Sequence, residues 1–274
     1  MISFQFSSFA DFVTAAESRP VHSETPARNS RRTDRRDWMQ TDSFEQAVAI
    51  ARDGWPEGRA MVEKFRTVIS DRIQSSMGVQ QICDWQLAGS EVDVGRFVTG
   101  EPECMIEFHE VAADKPSTKF AKVVFNMSTS GGVGFEQMQL KGAAVVALVD
   151  ALEGQGVRVE VDLAMESQQG GTETGRGVRM AVTVKTAEEP VEIDRLAFAL
   201  AHPSTFRRLC FSIQETIPLR DGDAGRGYGR VSQVPEANRG DIYVGASQLW
   251  NESSAAAWIL AQLKSLGIEV AAAA

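Results

Sequence analysis

At 274 residues, with 43% apolar and 24% charged side chains, the chain has the balance of an ordinary soluble protein, long enough for one large domain with appended parts. No apolar run approaches the roughly 20 residues that a membrane span needs, and the opening MISFQFSSFADFV has no basic region and carries Asp11, which argues against a secretory signal. Net charge is −9, but residues 19–36 hold six arginines against Glu24 and Asp34, a local +4 that leaves −13 elsewhere. An acidic body disfavours a broad nucleic-acid surface. Cys83, Cys104 and Cys210 are odd in number and far apart, which fits reduced thiols and a cytoplasmic setting in a host cell.

Residues 8–17 space Phe9, Phe12, Val13 and Ala16 as one helical face. Residues 18–40 are polar, contain Pro20 and Pro26, and lack periodicity, so they read as a flexible basic arm. Thr41 or Ser43 caps a helix to Arg52; Gly54 and Pro56 turn the chain into a second helix over 57–74, with Trp55 in the angle. Residues 85–103 read as loop, and 104–108 as a strand. Lys119 to Met127 contains the run Val123-Val124-Phe125 of a strand buried on both faces. A helix over 137–152 is apolar on most of its circumference and therefore central. Residues 157–164 and 178–184 alternate as two antiparallel strands joined by QQGGTETGRG. Helices follow over 190–201 and, after His202-Pro203, from a Ser204 cap to Thr216. A glycine-rich loop, a short strand over 241–246 and a helix over 254–266 complete the chain.

From Lys119 onward the order is strand, helix, strand, strand, helix, helix, strand, helix. This predicts an α/β fold: a mostly parallel doubly wound sheet, helices on both faces, an antiparallel hairpin at the edge. The expected divisions are 1–40 (short helix and arm), 41–103 (helical hairpin and loop) and 104–274 (α/β domain).

In such a sheet, ligands sit where loops leave the carboxyl ends of the strands. The first strand ends there in Asn126-x-Ser128-x-Ser130, followed by Gly131-Gly132 and an Ala/Val-rich helix. On these residues and the element order, Lys119–Val270 resembles a von Willebrand factor A domain. The resemblance implies a Mg²⁺ site of pattern D-x-S-x-S, completed by a Thr and a second Asp. Carried over, Asn126 stands at the first Asp, Ser128 and Ser130 match, Ser204 or Thr205 stands at the Thr, and Gly245-Ala246 occupies the place of the second Asp. Both carboxylates are missing, and Asp241 lies at the wrong end of its strand. A hard dication held by protein normally needs a carboxylate. The site is expected to be degenerate, with no metal and no cofactor; Ser128 and Ser130 then cap the following helix and Asn126 bonds neighbouring loops.

The pieces SFEQAVAIARDGWPEGR and GSEVDVGRFVTGEPECMIEF resemble an uncharacterised family encoded by tailed bacteriophages. That resemblance implies a phage or prophage context and no chemistry. GGTETGRG departs from a phosphate loop at Arg176 and Gly177, and a strand follows it where a helix is required. His22, His109 and His202 share no ligand spacing, and His202 marks a helix break. Asp162, Glu166 and Glu173 read as a solvated hairpin. Two basic segments are candidate polyanion contacts: Arg28, Arg31, Arg32, Arg35 and Arg36 in the arm, and Arg226, Tyr228 and Arg230 in the glycine-rich loop, a composition that stacks on single strands.

Three functions fit this pattern. First comes a non-enzymatic interaction or scaffold module with a protein partner; next, a nucleic-acid-associated protein using the arm and the 222–230 loop; last, an enzyme whose site is not legible in one sequence. No membrane partner is expected.

Overall fold

The computed structural model describes residues 2–18, 29–32, 35–73, 78–113, 119–169, 176–217, 230–231, 233–248 and 251–271. Period-two alternation builds the main sheet. Its strands are β1 (Ile2–Phe6), β5 (Phe120–Asn126), β6 (Arg158–Gln169), β7 (Arg176–Lys185), β8 (Arg230–Val231) and β9 (Ile242–Val244), in the order β1-β7-β6-β5-β9 with β8 beside β6. β5 runs parallel to β6 and to β9, and β1 parallel to β7; β6 and β7 are antiparallel. The register sets Val123 beside Val161 and Ile242, Leu163 beside Val182, and Phe4 beside Met180.

The fold is thus mixed α/β with a mostly parallel sheet, and two expectations are corrected. The β6–β7 hairpin is not at the edge, because β1 pairs along the outer side of β7. Five residues, ISFQF, were too short a pattern to read as a strand without that partner. Nor, among the described residues, do helices flank both faces. Val123, Phe125, Val161, Leu163, Met180, Val182, Ile242 and Val244 share one face, which forms a single core with the helices. The opposite face carries Lys122, paired with Glu160 and Asp162 at 2.6 Å each, and Arg179, paired with Glu166 at 2.5 Å. Beside them lies only a small apolar cluster of Val124, Ala164 and Val234 with Tyr243. Asp162 and Glu166 are therefore paired and largely buried rather than solvated; Glu173 lies outside the described residues.

Helices α1 (Phe9–Ser18), α6 (Phe135–Gly154), α7 (Ile193–Ala201) and α9 (Glu252–Ser265) pack beneath the apolar face, and α3 (Phe44–Asp53) and α4 (Pro56–Ser70) pack on helices in turn. This layering accounts for α6, buried over Lys141–Val149 and at Leu152: the sheet covers one side and α4, α7 and α9 the other. Ser43 caps α3 by accepting from the Gln46 amide, and Asn251 forms a reciprocal capping box with Ser254. Trp55 wedges the α3–α4 angle, its ring against Gly58 and edge-on to His202 at 4.7 Å.

The chain divides as 1–74 with 118–274, and 75–117, rather than at 40 and 103. The second unit is an antiparallel sheet of order β2-β4-β3, where β2 is Gly78–Gln86, β3 is Glu91–Val92 and β4 is Met105–Ala113. A short helix α5 (Val94–Val98) sits within the expected loop, capped by Asp93, whose carboxylate also accepts from Trp85 Nε1. The expected strand 104–108 is the central strand of this unit, not part of the main sheet.

α6 and α7 cross at Gly142, where a Cβ would lie 2.3 Å from Ala201 Cα and the Leu200 oxygen. Gly142→Val should cost on the order of 1–3 kcal/mol or more by overpacking. Gly154→Ala, with nothing within 4 Å of its Cβ, should be neutral or stabilising. Equal melting points for the two variants would contradict this crossing.

Candidate functional site

At the carboxyl end of β5 the Asn126-x-Ser128 turn closes on itself. Asn126 Oδ1 accepts from the Ser128 amide at 3.1 Å and from its hydroxyl, while Nδ2 donates to the Tyr243 hydroxyl at 3.1 Å. Asn126 and Ser128 are buried, and Ser130 is exposed. Thr205 is buried and donates to Phe198 O at 2.7 Å; Gly245 N donates to Gln248 Oε1. Neither serine caps α6. Gly134 stands at that cap without a side-chain bond, so the capping expectation is corrected: the Asn126 amide has already taken up Ser128. Among the described residues no three His, Cys, Asp or Glu side chains cluster as metal ligands.

A buried lysine lies beside this turn. Lys141, from the second turn of α6, places Nζ 3.1 Å from Asn126 O and 4.7 Å from the centre of the Phe125 ring. Burial lowers its pKa from 10.5 to about 7. His202 is also buried, stacked on Phe198 at 4.9 Å, with Nδ1 accepting from Ser204 N. Desolvation pushes it down to about 4, a backbone hydrogen bond with Gln40 opposing, so it is neutral at physiological pH. Cys210 is pushed up to about 12 by burial and stays a thiol.

The second constellation is built on a π-helical segment, Thr205–Cys210, that continues into α8 (Phe211–Gln214). Such wide turns are uncommon inside helices. Here one presents two adjacent buried arginines. Arg207 donates to Trp38 O and Val133 O at 2.6 Å each, beneath the Trp38 ring at 4.5 Å. Desolvation lowers its pKa to about 10, and Arg35 adds repulsion. Arg208 donates to Thr41 Oγ1, Thr41 O and Ser30 O. Ser30 in turn donates its amide and hydroxyl to buried Glu215. Arg31 bonds Ser212 Oγ at 2.9 Å and Ala16 O.

The arm is therefore docked at its described residues, not free. A short helix α2 (Arg36–Met39) forms within it. Arg31 is consumed internally, Arg35 lies over Trp38 at 5.2 Å, Arg36 pairs with Asp42 at 2.9 Å, and Arg32 is exposed. Arg230 lies in β8. Arg28, Arg226 and Tyr228 fall outside the described residues, so the polyanion candidates do not assemble into one described surface. No described helix is long and apolar enough to cross a membrane.

Residues 2–270 match the family described as Domain of unknown function (DUF7192). The chain belongs to that family. No curated protein and no solved structure matches it.

The buried charges Lys141, Arg207, Arg208 and Glu215 were not singled out from the sequence. A signal for Lys141 existed: it interrupts the inward face of an otherwise apolar helix. Arg207-Arg208 lacked one, because an ordinary helix would not bury both.

Two outcomes follow from these burials. Lys141→Met should melt above wild type at pH 7, where wild type carries the cost of a buried, uncompensated ammonium. Wild type loses this stability as pH falls from 10.5 to about 7, because the unfolded chain holds the proton more tightly. The gap between variant and wild type should therefore close as pH rises toward 10.5; a gap constant across calorimetric scans from pH 7 to 10 would refute it. Arg208→Leu should destabilise by about 3–5 kcal/mol through the broken buried network. It should also open the Arg31–Arg32 bond to trypsin, read by mass spectrometry of early fragments.

Proposed function

We propose that the protein is a non-catalytic interaction module that holds a protein partner through residues 75–117. The observation that carries this reading is the composition of that unit's surface. None of residues 82–109 is buried, and Trp85, Leu87, Val92, Val94, Phe97, Val98 and Phe108 are all exposed, Phe97 by 65% and Val98 by 77%. A unit this short has too little interior to bury its own apolar groups. Register sorts its faces: Cys83, Trp85, Ile106 and Phe108 share one, and Ile82, Asp84, Gln86, Met105, Glu107 and His109 the other, more polar one. Exposed apolar surface of this density marks a contact site.

The occupant is inferred from charge. The unit carries eight acidic residues against Arg96 and Lys115, a net −6. That repels nucleic acid and a second copy of itself, and suits a basic segment of a partner protein bearing apolar side chains. β2 pairs only with β4 among the described residues, which leaves an edge for an added strand. The nucleic-acid alternative is weaker for having Arg31 bound internally.

Two finer inferences accompany this one. The von Willebrand factor A likeness is supported by β5 lying between parallel β6 and β9, with Asn126-x-Ser128-x-Ser130 at its carboxyl end; the one-sided helical cover departs from that pattern. The phage or prophage context rests on the resemblance at residues 43–59 and 89–108.

A photo-crosslinking residue at Phe97, in cells that encode the protein, should capture a partner through a basic peptide. Reversing Glu101, Glu103 and Glu107 to lysine should abolish the capture. Crosslinks no more frequent than from a control at exposed Glu188, or only to a second copy, would overturn the reading.

A further inference from the structure

Helix α5 is packed inside out. A short helix beside a sheet ordinarily turns its apolar side inward and its charged side to water. Val94, Phe97 and Val98 stand at positions i, i+3 and i+4, on one side of α5, and all three are strongly exposed. Arg96, on the other side, is the residue turned inward. Its guanidinium lies over the Trp85 ring at 4.4 Å, donates to Glu103 O at 3.1 Å and pairs with Glu101 at 3.4 Å.

Both ends of the helix are tied down. One Asp93 oxygen accepts from the amides of Gly95 and Arg96, while the other accepts from Trp85 Nε1 at 3.0 Å. Trp85 is itself placed by register opposite Ile106, which pairs on its other side with Glu91 of β3. At the far end Glu101 N donates to Arg96 O, and Gly100, at a φ of 77°, turns the chain away. These contacts engage Asp93, Arg96 and Trp85 and leave the three apolar side chains outward. An aromatic ring flanked by two aliphatic groups on so constrained a turn meets a partner with little ordering still to be done.

We propose that α5 is the recognition element of residues 75–117: Phe97, with Val94 and Val98 beside it, enters an apolar pocket of the partner protein whose mouth carries lysine or arginine. The basic mouth follows from the border of this apolar knob, where Glu91, Glu101 and Glu103 are all exposed. The same border repels a second copy of the unit and an anionic lipid surface. This inference rests on the docking reading above and deepens it, selecting α5 over the polar face of the sheet and the open edge of β2.

A photo-crosslinking residue at Phe108, outside α5, reports capture by the unit as a whole in cells that encode the protein. With it in place, Phe97→Ser should lower capture about tenfold or more, and Phe97→Leu, still apolar, should keep most of it. Ile82→Ser, on the opposite face of the sheet, should leave capture within about twofold. Each variant should melt with wild type, because the side chain it changes is exposed. Undiminished capture by Phe97→Ser, or equal losses in Phe97→Ser and Ile82→Ser, would overturn the role of α5 and leave the docking reading standing. Capture of a second copy alone, or binding of wild type to phosphatidylglycerol vesicles that Phe97→Ser abolishes, would overturn the protein pocket as occupant. No capture from either Phe108 or Phe97 would overturn the docking reading and this inference with it.

Discussion

Two adjacent arginines bind the main unit together. Arg207 and Arg208 project from one wide helical turn and reach main-chain oxygens at Trp38, Thr41, Ser30 and Val133. Main-chain carbonyls are acceptors that the chain cannot lose by substitution, so the contacts depend on the arginines alone. Each guanidinium is taken out of water at a cost of several kcal/mol. That cost is offset only if its planar fork of donors finds partners, and segments from three parts of the chain must converge to supply them. The clamp ties the N-terminal segment and the loop after β5 to the helix that supports the core.

The same convergence shapes the surroundings of Asn126. The loop between β5 and α6 is held at one end by Lys141 and at the other by Arg207, both cations. A dication in the Asn126–Ser128 turn would meet positive charge on two sides with no carboxylate cluster among the described residues to balance it. The turn has instead settled on internal hydrogen bonds among neutral groups, with Tyr243 from the neighbouring strand completing them.

How far the sequence disclosed this structure depended on range. Helices α3, α4, α6 and α9 were readable because their apolar stripes, caps and glycine stops are local. The order of β5, α6, β6, β7 and β9 followed from alternation and loop chemistry. β1 was missed because it exists only by pairing with residues some 180 positions away, beyond any local pattern. At its described residues the arm departs from the flexible reading for a related reason: Ser30 and Arg31 look solvated until Glu215, Ser212 and a main-chain carbonyl are brought to them. At the candidate site, Asn126, Ser128 and Thr205 were legible as a motif. Lys141 was hidden by the assumption that a charge within an apolar helix faces outward.

The pairing of Ile2–Phe6 with Val178–Val182 also governs the order in which the fold can be reached. β1, synthesised well before β7, must wait for it, and the Ser30–Thr41 segment must wait for Arg208 and Glu215. Closing loops of this length is entropically expensive before the contacts that reward it exist. Until then the emerging chain carries an unpaired apolar strand and a basic segment with its buried partners absent. β1 therefore completes the main sheet after β7 is in place, and the interval before that closure leaves its apolar side chains open to aggregation or to capture by a chaperone.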